Sequence, residues 1–280
     1  PLGAPDDPAA LAVKNPLSAE ETHLRTRLLP GLVRRVEHNW SQGERDVRLF
    51  EVGTVFKAGS PLPDEQLWLG IVLTGARRPP HWSEGGGARS AKVPDMDIWD
   101  LKRHFELAVE VAAPDCVVQP ATGGVTGWEA VQRGGGEGEG EGQVRGWAGP
   151  LEADAPKWGA PLFGCEVRIV VAPPPVVRYQ PLPTQPPVLR DLSLVVPAGV
   201  TAAAMEAVLR PAGGVLLERL DVLDEYRGPA GGLPAGARGV TWRCTFRDPA
   251  RTLTEREVDA LLGRMLSALE GELDVRRREA

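Results

Sequence analysis

The chain has 280 residues, 42% hydrophobic and 25% charged, a composition typical of a soluble globular protein. No apolar run reaches the length that spans a bilayer, and no signal peptide is visible. The formal net charge is −6, which excludes a basic field over the whole chain that would attract nucleic acid. The three cysteines are far apart, which argues against a disulfide framework and a Cys-rich zinc site and fits a reducing cytoplasm. Because the chain opens on Pro1 rather than Met, we interpret it as a piece of a longer or processed polypeptide.

The first part of the chain is predicted to mix helices and strands. Ser18 and Glu21 form a capping-box pattern that predicts a helix from Ala19, and Pro30 suits the first turn of a second helix. An amphipathic helix is predicted over 97–112, because apolar residues recur there at helical spacing. Strands are predicted at 47–56, 67–74, 116–118, 128–131, 143–147 and 163–171. Residues 134–142 alternate Gly and Glu, which is typical of a solvated surface loop.

A proline-rich stretch then divides the chain. It predicts a stiff, extended linker at 173–187, between a first domain at 1–172 and a second at 188–280. The second domain reads as strand, helix, strand, strand, helix, strand, which is the split βαβ order of ferredoxin-like folds. Its predicted elements are strands at 192–196, 215–223, 240–246 and 273–276, a helix capped by Thr201 and a helix from Glu255 capped by Thr254 and Glu257.

The residues that most suggest a binding function flank the Gly/Pro-rich loop 228–239. The strand before this loop delivers Asp224 and Tyr226 to its rim, and Arg238 ends it. An exposed Tyr beside an acid and several arginines suits an unstacked nucleobase. The alternative is an ordinary amphipathic Tyr at a strand end, and the residues alone favour that alternative. Trp242 and Phe246 share a strand face with apolar residues and are predicted to be core, so the sheet face is not expected to be an aromatic stacking platform.

Ordered motifs across the second domain resemble the ferredoxin-fold anticodon-binding domain of bacterial phenylalanine–tRNA ligase β subunits. They are Pro187-x-x-Arg190-Asp191-Leu192, Leu223-Asp224-x-Tyr226-x-Gly228, Leu233-Pro234-x-Gly236 and Phe246-x-Asp248-Pro249-x-Arg251-Thr252-Leu253-Thr254. The resemblance implies that Tyr226 stacks on an anticodon base, that Asp224 hydrogen-bonds a base edge and that Arg238 contacts a phosphate. Lesser candidates for nucleic-acid contacts are Arg190, Arg227, Arg247 and Arg251. The small hydroxyl residue usual after the loop is replaced here by Gly239.

Residues 15–56 resemble the catalytic-like domain of the same β subunits, which is similar in fold to class II aminoacyl-tRNA synthetase cores. The motifs are Asn15-Pro16-Leu17-Ser18, Leu24-Arg25-Thr26, Leu29-Pro30-Gly31-Leu32 and Leu49-Phe50-Glu51-x-Gly53-x-Val55-Phe56. Active class II enzymes follow this last strand with an arginine that clamps ATP, whereas Lys57 stands here, and a lysine is a point charge without a bidentate fork. A Gly-rich segment ending in Arg is also missing from the sequence. The resemblance therefore implies an inactive core, with no catalytic and no metal-binding residue in this chain.

Together the two resemblances predict an α+β protein. A partial class II synthetase-like antiparallel sheet domain, catalytic-like but inactive, precedes a ferredoxin-like βαββαβ domain. The family implies a cytoplasmic α2β2 ligase without membrane contact, in which this chain scaffolds the catalytic α subunit and binds the anticodon region of tRNA(Phe). ATP and Mg²⁺ serve the holoenzyme, and no cofactor is expected on this chain.

Two other functions are open. A protein-interaction or assembly module without direct RNA contact is favoured by Gly239 and by the charge of residues 188–280, where 13 Arg face 14 Asp plus Glu for a net −1. A free-standing adenylate-forming enzyme is the least favoured.

Overall fold

The chain forms two compact units, Pro1–Pro175 and Val176–Ala280. The computed structural model describes residues 10–17, 22–78, 93–122, 126–133, 143–171, 178–179, 181–227, 233–234 and 236–278. The Gly/Glu loop 134–142 and half of the Gly/Pro-rich loop 228–239 lie outside the described residues. The division into domains at 1–172 and 188–280 with a linker at 173–187 stays a prediction. None of the helices described here is both long and apolar enough to cross a membrane.

The first unit is built on a six-stranded sheet in the order β1-β2-β6-β5-β4-β3, with every neighbouring pair antiparallel. Its strands are β1 (Val47–Lys57), β2 (Asp64–Thr74), β3 (Cys116–Pro120), β4 (Trp128–Gln132), β5 (Val144–Leu151) and β6 (Leu162–Arg168). Helices α1 (Leu29–Ser41) and α2 (Ile98–Ala112) pack on opposite faces, because α1 contacts the cluster of Val72 whereas α2 contacts that of Leu73. An antiparallel sheet flanked by helices is the architecture predicted for this domain.

Helix α1 takes its N-terminal cap from a distant strand. Leu28, the residue before the helix, offers no side-chain cap. The carboxylate of Glu166 in β6 instead accepts the backbone N–H groups of Leu28 and Leu29 at 2.5 and 2.7 Å and Nε of Arg27 at 2.8 Å. Glu166 is 3% exposed, and its negative charge also suits the positive end of the helix dipole. The start of α1 is thereby tied to the middle of the sheet.

The predicted helix from Ala19 is wrong over the residues that the structure describes. Residues 22–28 are not helical, while the capping-box residues 18–21 lie outside the described ranges. The segment runs beside β1 instead: the carbonyl of Arg25 accepts Phe56 N–H at 2.9 Å, and Arg25 Nε donates to the Thr54 carbonyl at 2.8 Å. These hydrogen bonds to a strand replace those that a helix would have made within itself.

The second unit has the predicted ferredoxin-like order. Its elements are β7 (Val188–Val196), α3 (Ala202–Gly213), β8 (Leu217–Tyr226), β9 (Arg238–Phe246), α4 (Glu255–Leu273) and β10 (Arg276–Arg277). The strands form an antiparallel sheet in the order β10-β7-β9-β8. The predicted last strand at 273–276 starts too early, because α4 continues to Leu273 and Asp274 ends it in the left-handed conformation.

Both predicted cap patterns of this unit are present. Thr201 accepts the backbone N–H of Ala204 at 3.1 Å, and Thr254 and Glu257 form a complete capping box at the start of α4. Hydrogen bonds from Arg251 and then from Thr254 lower the pKa of Glu257 to about 2. The core between helices and sheet contains Trp242 and Phe246, which are 3% and 0% exposed as predicted.

Candidate nucleic-acid interface

The four-stranded sheet has one face that α3 and α4 cover and one that the described helices leave open. Val240, Trp242 and Cys244 of β9 point into the core beneath the helices. Side chains alternate along a strand, so Gly239, Thr241, Arg243 and Thr245 belong to the opposite face. Residues opposite each other in an antiparallel pair share a face, so the register with β7 and β8 assigns the remaining positions. We call this second surface the open face.

A β-bulge turns Asp224 and Tyr226 onto the open face. Val222 pairs with Trp242 on the core side, but the register then shifts and Asp224 pairs with Thr241. Tyr226 consequently lies opposite Gly239. In a strand without the bulge, Asp224 and Tyr226 would have kept the side of Val222. The bulge thus re-aims both side chains away from the core, a role that bulges have near functional sites.

Tyr226 is partly buried and is the last residue of β8, two residues before the loop 228–239. It is the only aromatic side chain on the open face within the described strands. Its hydroxyl has no hydrogen-bond partner among the described residues. An aromatic ring on a sheet face, with no polar partner among the described residues, can stack against a planar group from outside.

Gly239 forms the floor beside this ring. A Cβ atom built on Gly239 would lie 3.8 Å from Cβ of Tyr226 and 3.9 Å from both Nη1 of Arg278 and Cδ1 of Leu233. These are ordinary van der Waals distances, so the site does not require glycine for steric reasons. Tyr226, Arg278 and Leu233 therefore surround a small gap above Gly239, which a Cβ atom can enter without a clash.

Asp224 is exposed, two residues before Tyr226 on the same face. Its carboxylate has neither an ion pair nor a hydrogen bond within the described part of the chain. The other acids of the open face are already engaged: Asp191 accepts two bonds from Arg243 at 2.8 Å, and Asp221 accepts Arg219 Nε at 2.6 Å. Asp224 is thus available to accept hydrogen bonds from the amino or imino groups of a base edge.

Arg238, predicted as the main phosphate contact, points to the core side of the sheet. Its side chain is 15% exposed, Nη2 donates to the Val200 carbonyl at 2.6 Å, and Nε lies 3.6 Å from Glu225. Glu225 also pairs with Arg227, whose side chain is 72% exposed. Arg238 therefore holds neighbouring segments together in this conformation and offers little of its guanidinium to a ligand, whereas Arg227 is accessible.

Each of the three other predicted arginines has an acidic partner. Arg190 lies within 4.0 Å of Glu255 and Asp259 of α4, so it faces the helix side. Arg247 donates to Glu218 and to the Gln185 carbonyl, both at 2.7 Å. Arg251 makes a bidentate contact with the capping residue Glu257 at 2.6 and 3.0 Å, which raises the pKa of Arg251. The structure brings Asp224 and Tyr226 together and leaves these arginines apart from them.

Arg278 is a candidate that the sequence reasoning missed. Its backbone N–H donates to the Ser193 carbonyl at 2.9 Å, which continues the pairing of β10 with β7. Its guanidinium reaches the gap above Gly239. The run Arg276 to Arg278 is a visible basic signal, but only the strand pairing shows that Arg278 approaches Tyr226.

In the first unit, Asp97 and Asp100 cap α2 and pair with Arg77. No group of three or more His, Cys, Asp or Glu side chains within the described ranges is arranged to hold a metal ion. Lys57 is the last residue of β1 and is exposed.

Two family models match the chain. Residues 3–113 match the phenylalanyl tRNA synthetase beta chain CLM domain, and residues 183–278 match the ferredoxin-fold anticodon binding domain. The second match coincides with the unit that carries the open face. A weaker likeness links 57% of this chain to 50% of a pyrrolysyl-tRNA synthetase from Desulfitobacterium hafniense, with a TM-score of 0.35 and 14% identity. A likeness this low carries no inference about function.

Curated relatives named phenylalanine–tRNA ligase beta subunit align with nearly the whole chain. The protein of Anaeromyxobacter dehalogenans is 33% identical over 92% of this chain and 32% of its own length. That of Symbiobacterium thermophilum is 32% identical over 94% of this chain and 29% of its own length. That of Nocardia farcinica is 33% identical over 91% and 33%, respectively. The chain therefore spans about a third of the length of the curated relatives it matches.

Proposed function

Because this chain belongs to the family of phenylalanine–tRNA ligase β subunits, we propose that its second unit binds the anticodon region of tRNA(Phe) during aminoacylation. The observation that carries the proposal is the bulge in β8, which places an aromatic ring and an unpaired carboxylate side by side on the open face. An unstacked base would stack on Tyr226 and donate to Asp224. Arg227 and Arg278 are the cations nearest to this pair along the chain and across the sheet, respectively.

The proposal for the first unit is a scaffold. Its antiparallel sheet would pack against a catalytic α subunit in an α2β2 assembly, with adenylation by α supplied with ATP and Mg²⁺. The exposed Lys57 stands where an active core would need the bidentate fork of an arginine, which supports a non-catalytic role for this unit. The described cysteines are all free and buried, which suits the reducing cytoplasm expected for such an assembly.

Charge pairing favours a second candidate, an assembly module without RNA contact. Most of the predicted arginines are engaged with acids, among them Arg190, Arg247 and Arg251. Few cations are thus left to release counterions from a phosphate backbone, so RNA binding by this unit should depend only weakly on salt. This pairing weakens the electrostatic case for RNA but leaves the stacking and base-edge contacts of Tyr226 and Asp224 in place.

Equilibrium binding of tRNA(Phe) by the assembled α and β subunits tests the proposal. The only two tyrosines of the chain supply a matched pair, since Tyr179 is 86% exposed and lies outside the sheet. Tyr226→Ala should weaken binding by about 1–3 kcal/mol, or roughly 5- to 150-fold, the value of one base–aromatic stack. Tyr226→Phe should retain most of the affinity, and Tyr179→Ala all of it. Unchanged affinity in Tyr226→Ala would favour the assembly module instead.

A further inference from the structure

The sheet face under α1 contains a hollow to which the proposed RNA and scaffold roles assign no ligand. Its volume is about 390 Å³, within the range of small-molecule sites. It lies entirely within the first unit. The side chains that matter for its chemistry are Thr26, Arg27, Lys57, Trp68, Trp147 and Glu166.

The hollow exists because α1 covers only part of this face. The residue before the helix rests on Gly70, where an added Cβ would lie 3.0 Å from Cβ of Leu28. Two residues earlier in β2, Trp68 lies beyond the start of α1 on the same face. Trp147 pairs with Glu166 across β5 and β6 and forms part of the other side. The non-helical segment 22–28, held along β1, contributes Thr26 and Arg27.

The charges in the hollow leave an excess of hydrogen-bond donors. The acceptors of Glu166 are committed to Leu28 N, Leu29 N and Arg27 Nε. Arg27 is 40% exposed, and its two terminal amino groups have no hydrogen-bond partner among the described residues. Lys57 has no hydrogen-bond or ion-pair partner among the described residues. The hollow thus contains two cations, Arg27 and Lys57, and one carboxylate, Glu166, whose oxygens already accept hydrogen bonds. This excess of donors favours the binding of an anion.

Lys57 also makes no ion pair with the acid opposite it among the described residues. Asp64 is its cross-strand partner in β1 and β2, but the Asp64 carboxylate accepts a hydrogen bond from Gln66 instead. The ammonium group of Lys57 is consequently free to point toward a ligand at the end of the strand.

The two tryptophans give the hollow an affinity for planar groups. The indole N–H of Trp68 donates to Oε1 of Gln66 at 3.2 Å, and Gln66 is 8% exposed, so the ring is held in one orientation. Trp147 packs partly against the α1 cluster and is fixed by it. Indole faces attract aromatic rings by stacking.

We propose that this hollow binds a small planar anion, an aromatic ring that carries a phosphate or a carboxylate group. The ring lies against Trp68 and Trp147, and the anionic group contacts Lys57 and the free amino groups of Arg27. The inference does not depend on tRNA binding, because it concerns the other unit of the chain.

Calorimetric titrations of the full chain at low salt test the proposal with two anionic probes and their neutral counterparts. Adenosine monophosphate and indole-3-acetate carry a phosphate and a carboxylate, while adenosine and indole carry neither. The variant Lys57→Gln removes the free cation at an exposed strand end and leaves the packing intact. Lys157→Gln, at another exposed lysine of the same unit, is its control.

The expected result is binding of at least one anion but not of its neutral counterpart. Lys57→Gln should weaken that binding about tenfold, the value of one charge-assisted hydrogen bond, with recovery in Lys57→Arg and no change in Lys157→Gln. Preference for the nucleotide or for the carboxylate identifies which anionic group the hollow takes. Absence of heat with both anions, equal binding of the neutral compounds, or unchanged affinity in Lys57→Gln would each overturn the proposal.

Discussion

Replacing Glu166 by alanine removes the cap of α1 and should destabilise the first unit by several kcal/mol. The backbone N–H groups of Leu28 and Leu29 would lose their acceptor, and both residues are at most 1% exposed. A buried donor without a partner costs about 1–3 kcal/mol. Arg27, which is 40% exposed, would be rehydrated and adds at most about 1 kcal/mol. We therefore expect a loss of about 4 kcal/mol for Glu166→Ala.

The variant Glu166→Gln tests the contribution of the charge, because it keeps an acceptor oxygen for the helix cap. Its amide oxygen can still accept from Leu28 and Leu29, but the charge is lost and the amide N–H₂ faces another donor, Arg27. The expected loss is about 1–3 kcal/mol, because hydrogen bonds to charged groups are stronger than those to neutral ones.

Urea unfolding followed by tryptophan fluorescence reports on this unit, since seven of the eight tryptophans lie within residues 1–175. Glu65→Ala, at an exposed position of β2, is the control and should change the unfolding free energy by less than about 0.5 kcal/mol. If Glu166→Ala were no more destabilising than Glu65→Ala, the cap would contribute nothing to stability and the reasoning would be refuted.

Three further outcomes are expected. The pKa of Glu257 is about 2 in the folded chain against an ordinary value of 4.5, so its contribution to the stability of α4 is full above pH 4.5 and is lost as the pH falls toward 2. Urea unfolding of Glu257→Gln should therefore show a smaller loss of stability over that pH range than the unaltered chain. An equal loss in both would contradict this. Burial raises the pKa of Cys165 to about 12 and that of Cys244 to about 11. Neither thiol should therefore react with a thiol reagent at pH 8 until urea unfolds the chain. Rapid labelling of Cys165 or Cys244 in the native chain would contradict this expectation. Gly239→Ser should fold with stability unchanged or raised by about 0.5–1 kcal/mol, because a strand glycine is entropically costly and the added Cβ meets only ordinary contacts. The added hydroxyl should also tighten tRNA(Phe) binding. A lower melting temperature or weaker binding would contradict the presence of room above Gly239.

The elements that depend on nearby residues could be predicted from the sequence. Thr254 and Glu257 are only three residues apart and form the capping box with each other, so the start of α4 can be predicted from the sequence alone. The alternation through Trp242 likewise predicted which face of β9 is buried. The predicted elements also gave the ferredoxin-like order, which the strand order β10-β7-β9-β8 and the family match over 183–278 confirm.

The elements that depend on distant partners could not be predicted. Glu166 caps a helix that begins 137 residues earlier, and the sequence pattern around β6 does not predict this contact. Residues 22–28 follow a helix-start pattern, yet they hydrogen-bond to β1 because Arg25 meets Thr54 and Phe56 there. Tertiary contacts override local propensity in both places.

The candidate site was predicted in its residues but not in its geometry. The sequence places Asp224 and Tyr226 where a strand meets the loop, but it does not show the register shift after Val222 that turns both residues onto the open face. A bulge of one residue leaves little trace in a sequence of mixed polarity. The sequence also does not show which arginines are engaged in hydrogen bonds within the protein, because Arg238 meets the Val200 carbonyl and Arg251 meets Glu257 only in the folded chain. The nucleic-acid roles of the predicted residues stay a proposal.

Chemical probing of tRNA(Phe) bound to the assembled α and β subunits tests the role of the open face most directly. With the unaltered protein, the anticodon bases should be protected. With Tyr226→Ala at concentrations that restore full occupancy, protection should be lost at one or more anticodon bases and retained in the rest of the tRNA. An anticodon that stays equally protected in Tyr226→Ala, or one that is never protected at all, would contradict base recognition by Tyr226 and Asp224.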